Sequence, residues 1–310
     1  MSFKCKLCGS HDHHVISTRD AKSNLSLPIS LCSQCGLAQQ TSIPSNEELS
    51  IYYSHDYRQD YKKTYAPKLK HVKRAGEAAL DRLAFLKKSA PITSSMKLLD
   101  IGAGGGEFVY LSQKSGFISS GIEPNHGYSE FAKREYDADV ETMSLAATES
   151  ATFDVITMFH VLEHMASPDA VMKKIHQILN PGGIFFIEVP NLLQKDASPH
   201  NIFFKAHLYY YCRFTLQAAT SKYFDILTIE DSGNLNILCK RKSLPLNDYV
   251  LPSKADVKFI QTRVEDKGWI EYLFAGGGVL KPLKKIRRIV EEKSIPIMSP
   301  KDLLDSLIRR

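Results

Sequence analysis

The sequence predicts an α/β fold built on a doubly wound, mostly parallel sheet, with a small cysteine-bearing module ahead of it and a helical extension behind it. Three observations carry that expectation. Residues 96–115 read as an apolar run, a glycine-dense turn and a helix, the opening unit of a nucleotide-binding sheet. Short apolar runs then alternate with helical periodicity as far as a final alternating pair at 223–241. Two Cys-x-x-Cys pairs stand within the first 36 residues.

Composition sets the class. With 43% hydrophobic and 24% charged residues among 310, the chain has the balance of an ordinary globular protein. No stretch approaches the ~18 uninterrupted apolar residues of a membrane span. The opening MSFKCKLCGS lacks the apolar core of a secretory signal. The expected compartment is therefore the cytoplasm, where thiols stay reduced. The net charge of +6 is concentrated late, since 243–310 carry 13 Lys plus Arg against 9 Asp plus Glu. That excess is too mild to argue for nucleic acid by itself.

Residues 1–43 form the first unit. Cys5-Lys6-Leu7-Cys8-Gly9 is echoed by Cys32-Ser33-Gln34-Cys35-Gly36. Each pair turns tightly enough to aim two sulfurs at one point, and the glycine after it permits the positive φ the turn wants. Two such knuckles, 23 residues apart, supply the four thiolates of a structural zinc with no open coordination position. His11, His13 and His14 stand between the knuckles, where a solvated loop or a substitute ligand are the two readings. Cys212 and Cys239 stand alone and read as core. The insert carries few basic residues and no Phe, Tyr or Trp, whereas a grip on single-stranded nucleic acid would favour both.

Residues 44–95 read as a tyrosine-rich cap and a connecting helix. The cap, PSNEELSIYYSHDYRQDYKKTY, holds Tyr52, Tyr53, Tyr57, Tyr61 and Tyr65 in a polar setting. These either rim a pocket for a polar ligand or pack one domain on another. From 67 to 88, Val72, Ala75, Ala79, Leu83 and Leu86 recur at helical spacing, and SAPITSS at 89–95 is the link.

Residues 96–242 form the main domain. The strand ending in Asp100-Ile101 meets Gly102-x-Gly104-x-Gly106, and the next strand ends on Glu123, an acid able to accept hydrogen bonds from ribose hydroxyls. To that point NAD and S-adenosylmethionine (SAM) fit equally. The glycine spacing is not the G-x-G-x-x-G of dinucleotide sites. A carboxylate two residues before the first glycine would repel pyrophosphate and suits a ligand with ammonium and sulfonium charges. Downstream, 153–168 is a strand ending at a site, about 168–179 a helix, 180–191 a turn and strand, and 223–241 an antiparallel hairpin about Ser232-Gly233-Asn234.

LLDIGAGGGEF, GIEPN, FDVITMFHVLEH and LNPGGIFFIEVPN together resemble the class I SAM-dependent methyltransferases, over residues 96–241. The resemblance implies a seven-stranded Rossmann-like sheet with SAM as cofactor. It places Asp100, Gly102, Gly104 and Gly106 at the methionine end and Glu123 at the ribose. It sets Met143 and Ser144 beside the adenine, with Phe159 and His160 flooring the pocket. CKLCG, LCSQCGLAQ and YYSHDY resemble the zinc-bearing region ahead of the methyltransferase domain in bacterial deoxysugar and polysaccharide-modifying enzymes. That implies a sugar, sugar nucleotide or glycan precursor as acceptor. Two departures stand out. The large C-terminal domain of the sugar C-methyltransferases in that group is missing, and their Glu-His pair is here Ala206-His207 in FKAHLYYY. Both turn the expectation from carbon towards O-methylation.

A sugar hydroxyl is a poor nucleophile until its proton leaves, and histidine is matched to that removal near neutral pH. His207, which the family analogue faces towards the acceptor, and His164, just beyond the fourth strand, are the candidate bases. The plainer reading of His164 and Glu163 is that they cap a helix or tie loops together. Nothing in the pattern requires a catalytic metal. The competing readings are an RNA methyltransferase gripping its substrate through the zinc module, and a SAM-binding protein without catalysis.

Residues 243–310 read as a helical extension. Leu280, Leu283, Ile286, Ile289 and Val290 share one helical face, with Lys284, Lys285, Arg287 and Arg288 off it and Trp269, Tyr272 and Phe274 nearby. Such a face either docks on the protein or a second subunit, or rests on a membrane surface on the cytoplasmic side. The triple glycine at 276–278 reads as a joint between helices. Oligomeric state stays open.

Overall fold

The computed structural model describes residues 3–45, 48, 67–148 and 152–309. The tyrosines from Tyr52 to Tyr65, and with them the expected cap, lie outside the described residues.

The main sheet holds β4 (Lys97–Ile101), β5 (Ile118–Ile122), β6 (Val140–Glu141), β7 (Phe153–Phe159), β8 (Leu179–Val189), β10 (Phe224–Glu230) and β11 (Leu235–Arg241). Their order is β10-β11-β8-β7-β4-β5-β6. From β6 to β8 every neighbouring pair is parallel, while β11 runs antiparallel to β8 and to β10. This is the seven-stranded, mostly parallel sheet expected, with its closing hairpin turning at Ser232–Asn234. The expected turn at Asn180–Gly183 is instead part of the long β8, which slips register against β7 between Phe153 and Val155.

Alternation along each strand explains the layers, because successive side chains point to opposite faces. Leu98, Val155, Ile184 and Phe186 face one core with α1 (Leu69–Ser89), α2 (Glu107–Lys114), α3 (His126–Tyr136) and α8 (Pro300–Ile308). Leu99, Ile156, Phe185 and Ile187 face the other, with α4 (Pro168–Ile178), α5 (Arg213–Ser221) and the buried cysteines Cys5, Cys32 and Cys35. Both faces are covered, so the central strands are apolar on both sides.

A second sheet, in the order β1-β2-β3-β9, comprises β1 (His13–Arg19), β2 (Ser26–Cys32), β3 (Ala38–Gln40) and β9 (Tyr209–Tyr210). His13 and His14 thus lie in a strand, not in the solvated loop expected. β9 follows β8 of the main sheet in the chain, so the N-terminal module is closed by a strand about 170 residues downstream of β3.

The C-terminal extension is woven into the same body. Ile260 of α6 (Lys254–Glu265) is fully buried against Leu31, Ala38 and Tyr210. A Cβ on Gly36 would come within 2.7 Å of its Cδ1. Leu303, Leu304 and Leu307 of α8 bury against α1, where Gly76 makes room for Leu304. Gly276–Gly278 link a single helical turn (Glu271–Ala275) to α7 (Lys281–Lys293), with Gly277 at φ +64°, the joint expected.

Candidate active site

The site begins where β4 ends. Gly102, Gly104 and Gly106 all take positive φ, at +76°, +56° and +83°. The Gly102 and Ala103 amides donate to the Ile122 carbonyl at 2.8 and 3.0 Å, folding the loop over the end of β5. The Gly104 amide donates to Glu123 Oε2 at 2.9 Å, and the Asn125 amide to Oε1 at 3.0 Å. Two backbone donors therefore orient this buried carboxylate at the carboxyl edge of the sheet, where ligands bind in open α/β sheets. At Gly106 a Cβ would stand 2.5 Å from that of Ala132 on α3, so only glycine lets α2 start there.

Asp100 sits beneath the loop, 3% exposed, accepting from Thr157 Oγ1 at 2.6 Å. Burial pushes its carboxyl up to about 7, against the lowering effect of Thr157. At neutral pH it is thus only partly ionised, and the full negative charge expected for a cationic ligand is present only above that value. Met143 and Ser144 follow β6, which pairs Ile122 with Glu141, so they share the sheet edge with Glu123.

Phe159 and His160 close β7. The Phe159 ring meets Phe108 and Phe186 edge-on at 4.9 and 5.0 Å, with the Arg82 guanidinium 4.2 Å above it. His160 adopts a left-handed φ of +56°. It is pinned by its Nε2, 2.9 Å from Glu188 Oε1, while its Nδ1 lies 3.5 Å from Glu163 Oε1. Arg82 donates twice to Glu188, at 2.7 and 2.9 Å, and Asn234 once, at 2.9 Å. Burial works against a charge on His160, but Glu163 and Glu188 override it and lift its pKa to about 9. Burial likewise opposes the Glu188 charge, and Arg82 and His160 outweigh it, holding that carboxyl well below the usual range. These contacts tie His160, at the end of β7, to Glu188, Glu163 and Asn234.

His164 and His207 come together, rings edge to face with centroids 5.0 Å apart. His164 Nδ1 donates to the Ala206 carbonyl at 2.7 Å, so this histidine does tie two loops. Its Nε2 lies 3.9 Å from Glu163 Oε1. Burial, then the neighbouring His164, push His207 down to about 4, which leaves it neutral at pH 7. His207 lines a cavity of about 60 Å³ together with Asn191, Gln194, Asn201, Phe204 and Tyr209. Glu163 is 1% exposed and faces both His160 and His164. Glu163 comes from the turn at Leu162–His164 that follows β7. The ligand atoms of Glu163, His164 and His207 lie within 4.8 Å of one another, a set that could also hold a cation.

The N-terminal module holds the His207 loop. Gln40 Nε2 donates to the carbonyls of Lys205 and His207 at 2.8 and 2.9 Å. The module's four thiols converge: Cys5–Cys35 and Cys8–Cys32 are each 3.5 Å apart, and all four sulfurs lie within 4.8 Å. Tetrahedral zinc at about 2.3 Å from each sulfur separates them by about 3.8 Å. The donor set therefore fits zinc. Gly9 and Gly36 take φ +75° and +73°, and their amides close the knuckles onto the Cys5 and Cys32 carbonyls. His11 is engaged by the Phe3 carbonyl and His13 stacks on the Phe3 ring, away from the cluster.

Sequence reasoning missed Arg82, Glu188, Asn234, Thr157 and Gln40. Glu188 and Thr157 left a signal, each a polar residue inside an apolar strand run, IFFIEV and FDVITMF. Arg82, Asn234 and Gln40 left none.

A family model described as methyltransferase domain matches residues 69–224. Similar curated proteins include the ubiquinone biosynthesis O-methyltransferase of Nitrosococcus oceani, 32% identical over 123 residues, which cover 37% of this chain and 51% of that protein. The protein of the same name from Idiomarina loihiensis is 26% identical over 195 residues, covering 58% and 79%. The chain spans about half the length of most of the curated relatives it matches. Among solved structures, magnesium protoporphyrin IX methyltransferase from Synechocystis PCC 6803 with bound SAH is similar at TM-score 0.49 and 11% identity, covering 64% of this chain and all of that one.

Proposed function

Because this chain belongs to the methyltransferase-domain family, whose model spans half its residues, we propose that it is a class I SAM-dependent methyltransferase acting on a hydroxyl of a sugar, sugar nucleotide or glycan precursor. The observation that carries this reading is the joint placement, at one edge of one sheet, of a glycine cradle with an oriented acid and a neutral histidine backed by a buried carboxylate.

When bound, SAM supplies a methyl group already activated on a sulfonium. The chain's residues then have three tasks. The glycine loop and Glu123 hold the cofactor, with Met143 and Ser144 at the adenine end. Asn191, Gln194 and Asn201 offer polar contacts to a hydroxylated acceptor beside His207. His207 would take the proton of the acceptor hydroxyl and so leave its oxygen nucleophilic towards the methyl group that bound SAM would supply. With its pKa pushed down to about 4, His207 carries no proton at neutral pH but is a weaker base than an ordinary imidazole. The Glu163 carboxylate stabilises the imidazolium that results, a division of labour known from His–acid pairs elsewhere.

Methyl-labelled SAM, incubated with sugar nucleotides, lipid-linked glycans, polysaccharide and RNA from the host, tests this. Label in a sugar-bearing fraction is the expected result. Label in RNA would overturn it, and SAM binding with no label in any fraction would favour a non-catalytic role. One observation favours a second acceptor: the curated relatives are named for ubiquinone biosynthesis. A hydroxylated aromatic ring therefore belongs among the acceptors assayed.

Metal removal gives a separate expectation. The module reaches the site through Gln40 and β9, not through the glycine loop. Chelation is expected to slow turnover roughly 10- to 100-fold, the order of a misplaced catalytic group, with the SAM Kd within about threefold. Calorimetry with and without chelator checks it, and an equal loss of SAM affinity would contradict the division.

A further inference from the structure

Helix α7 is mounted with its polar side inwards. Glu292, whose side chain is 11% exposed, accepts from Arg74 Nε of α1 at 2.7 Å, and Lys281 reaches Asp196 at 3.9 Å. At about 100° per residue, Glu292 stands half a turn round from Leu283. The contact with α1 thus turns Leu283, with Val290 and Ile286 beside it, away from the body, while Ile289 stands nearer the side of Glu292. Leu283, Ile286 and Val290 are 65%, 60% and 62% exposed, and no residue of the helix is buried. Among the described residues nothing covers this face.

We propose that the outward face of α7 docks this protein on the surface of an anionic lipid bilayer. Charge decides between occupants. The helix carries six Lys and Arg against Glu291 and Glu292; Lys284, Arg287 and Lys293 border the stripe, while Lys281, Lys285 and Arg288 share the side of Glu292. Two copies of so basic a face repel each other, whereas an anionic surface attracts it. Arg287 and Lys293 flank the stripe, where their long stems can lie along apolar surface while the charged heads stay at headgroup level. The helix is also short and highly charged, so it lies on a bilayer rather than crossing it, and no helix among the described residues is long and apolar enough to span one. This reading does not depend on which acceptor is methylated.

Co-sedimentation of the full chain with vesicles tests it. Binding to phosphatidylcholine vesicles containing about 30% phosphatidylglycerol is expected to exceed binding to pure phosphatidylcholine at least tenfold, and to fall several-fold in high salt. The double variant Leu283→Asp/Ile286→Asp changes two exposed side chains and is expected to lose vesicle binding while keeping wild-type SAM affinity by calorimetry. Equal binding to both vesicle types, no binding to either, or full binding by the variant would overturn the proposal. A concentration-dependent dimer in analytical ultracentrifugation, abolished by the same variant, would assign the face to a second copy instead.

Discussion

His207→Ala is expected to lower kcat by about 10²- to 10⁴-fold, the usual contribution of a positioned general base, with the SAM Kd within about threefold. The residue lies on the loop after β8, in contact with His164 and away from the glycine loop, so its loss leaves the cofactor cradle intact. His164→Ala is the companion variant. If His207→Ala keeps kcat within threefold while His164→Ala does not, the base is His164. The pH profile adds a second check. Burial and His164 hold the His207 pKa at about 4, so the acid limb of kcat at saturating SAM should fall near pH 4, not near the ordinary value of about 6.5. The same shift has a stability consequence with a definite sign. Between pH 4 and 6.5 the unfolded chain binds a proton at this position that the folded chain refuses, so His207's contribution is full above about 6.5 and is lost as pH falls towards 4. Thermal melts of wild type and variant across that window read it directly.

Glu123→Ala is expected to weaken SAM binding roughly 100-fold. Charge-assisted hydrogen bonds are worth about 1.5–3 kcal/mol each, and this carboxylate, which the proposed function sets at the ribose, anchors the Gly104 amide. Isothermal calorimetry measures it, with circular dichroism to show the fold is retained and Glu123→Gln to separate charge from shape. A change under threefold would remove Glu123 from the cofactor site. Gly106→Ala should act on the same loop by another route. The new Cβ meets Ala132 at 2.5 Å in a left-handed conformation that L side chains rarely adopt, so SAM affinity and melting temperature should fall together.

Both expectations start from features that a reader of the sequence can find. The glycine loop, Glu123 and the two knuckles are legible because each is a local arrangement: a fixed spacing of residues whose backbone the chain must bend in one way. The alternation of Leu98 with Leu99, of Val155 with Ile156 and of Ile184 with Phe185 is legible for the same reason, and with the order of elements it determines a two-faced parallel sheet. Burial changes what such residues mean. Asp100 is visible as an acid before the glycines, yet the rise of its pKa to about 7 comes from burial in the assembled sheet, against the lowering effect of Thr157.

The sequence by itself determined the fold class, the cradle and the four-thiol set, because these are written in periodicity and spacing within one stretch of chain. Only the tertiary structure decided who meets whom across it. Arg82 finds Glu188 at a separation of 106 residues and Gln40 finds the His207 carbonyl at 167, neither of which any local pattern records. Glu163, readable as a plain loop tie, becomes the carboxylate beside the histidines only when the ends of β7 and β8 are brought side by side. The amphipathic period of α7 is the same whether its apolar stripe faces in or out. The ion pairs Arg74–Glu292 and Lys281–Asp196 lie on its polar side and the stripe faces outward, since periodicity defines a face while contacts between elements define its direction.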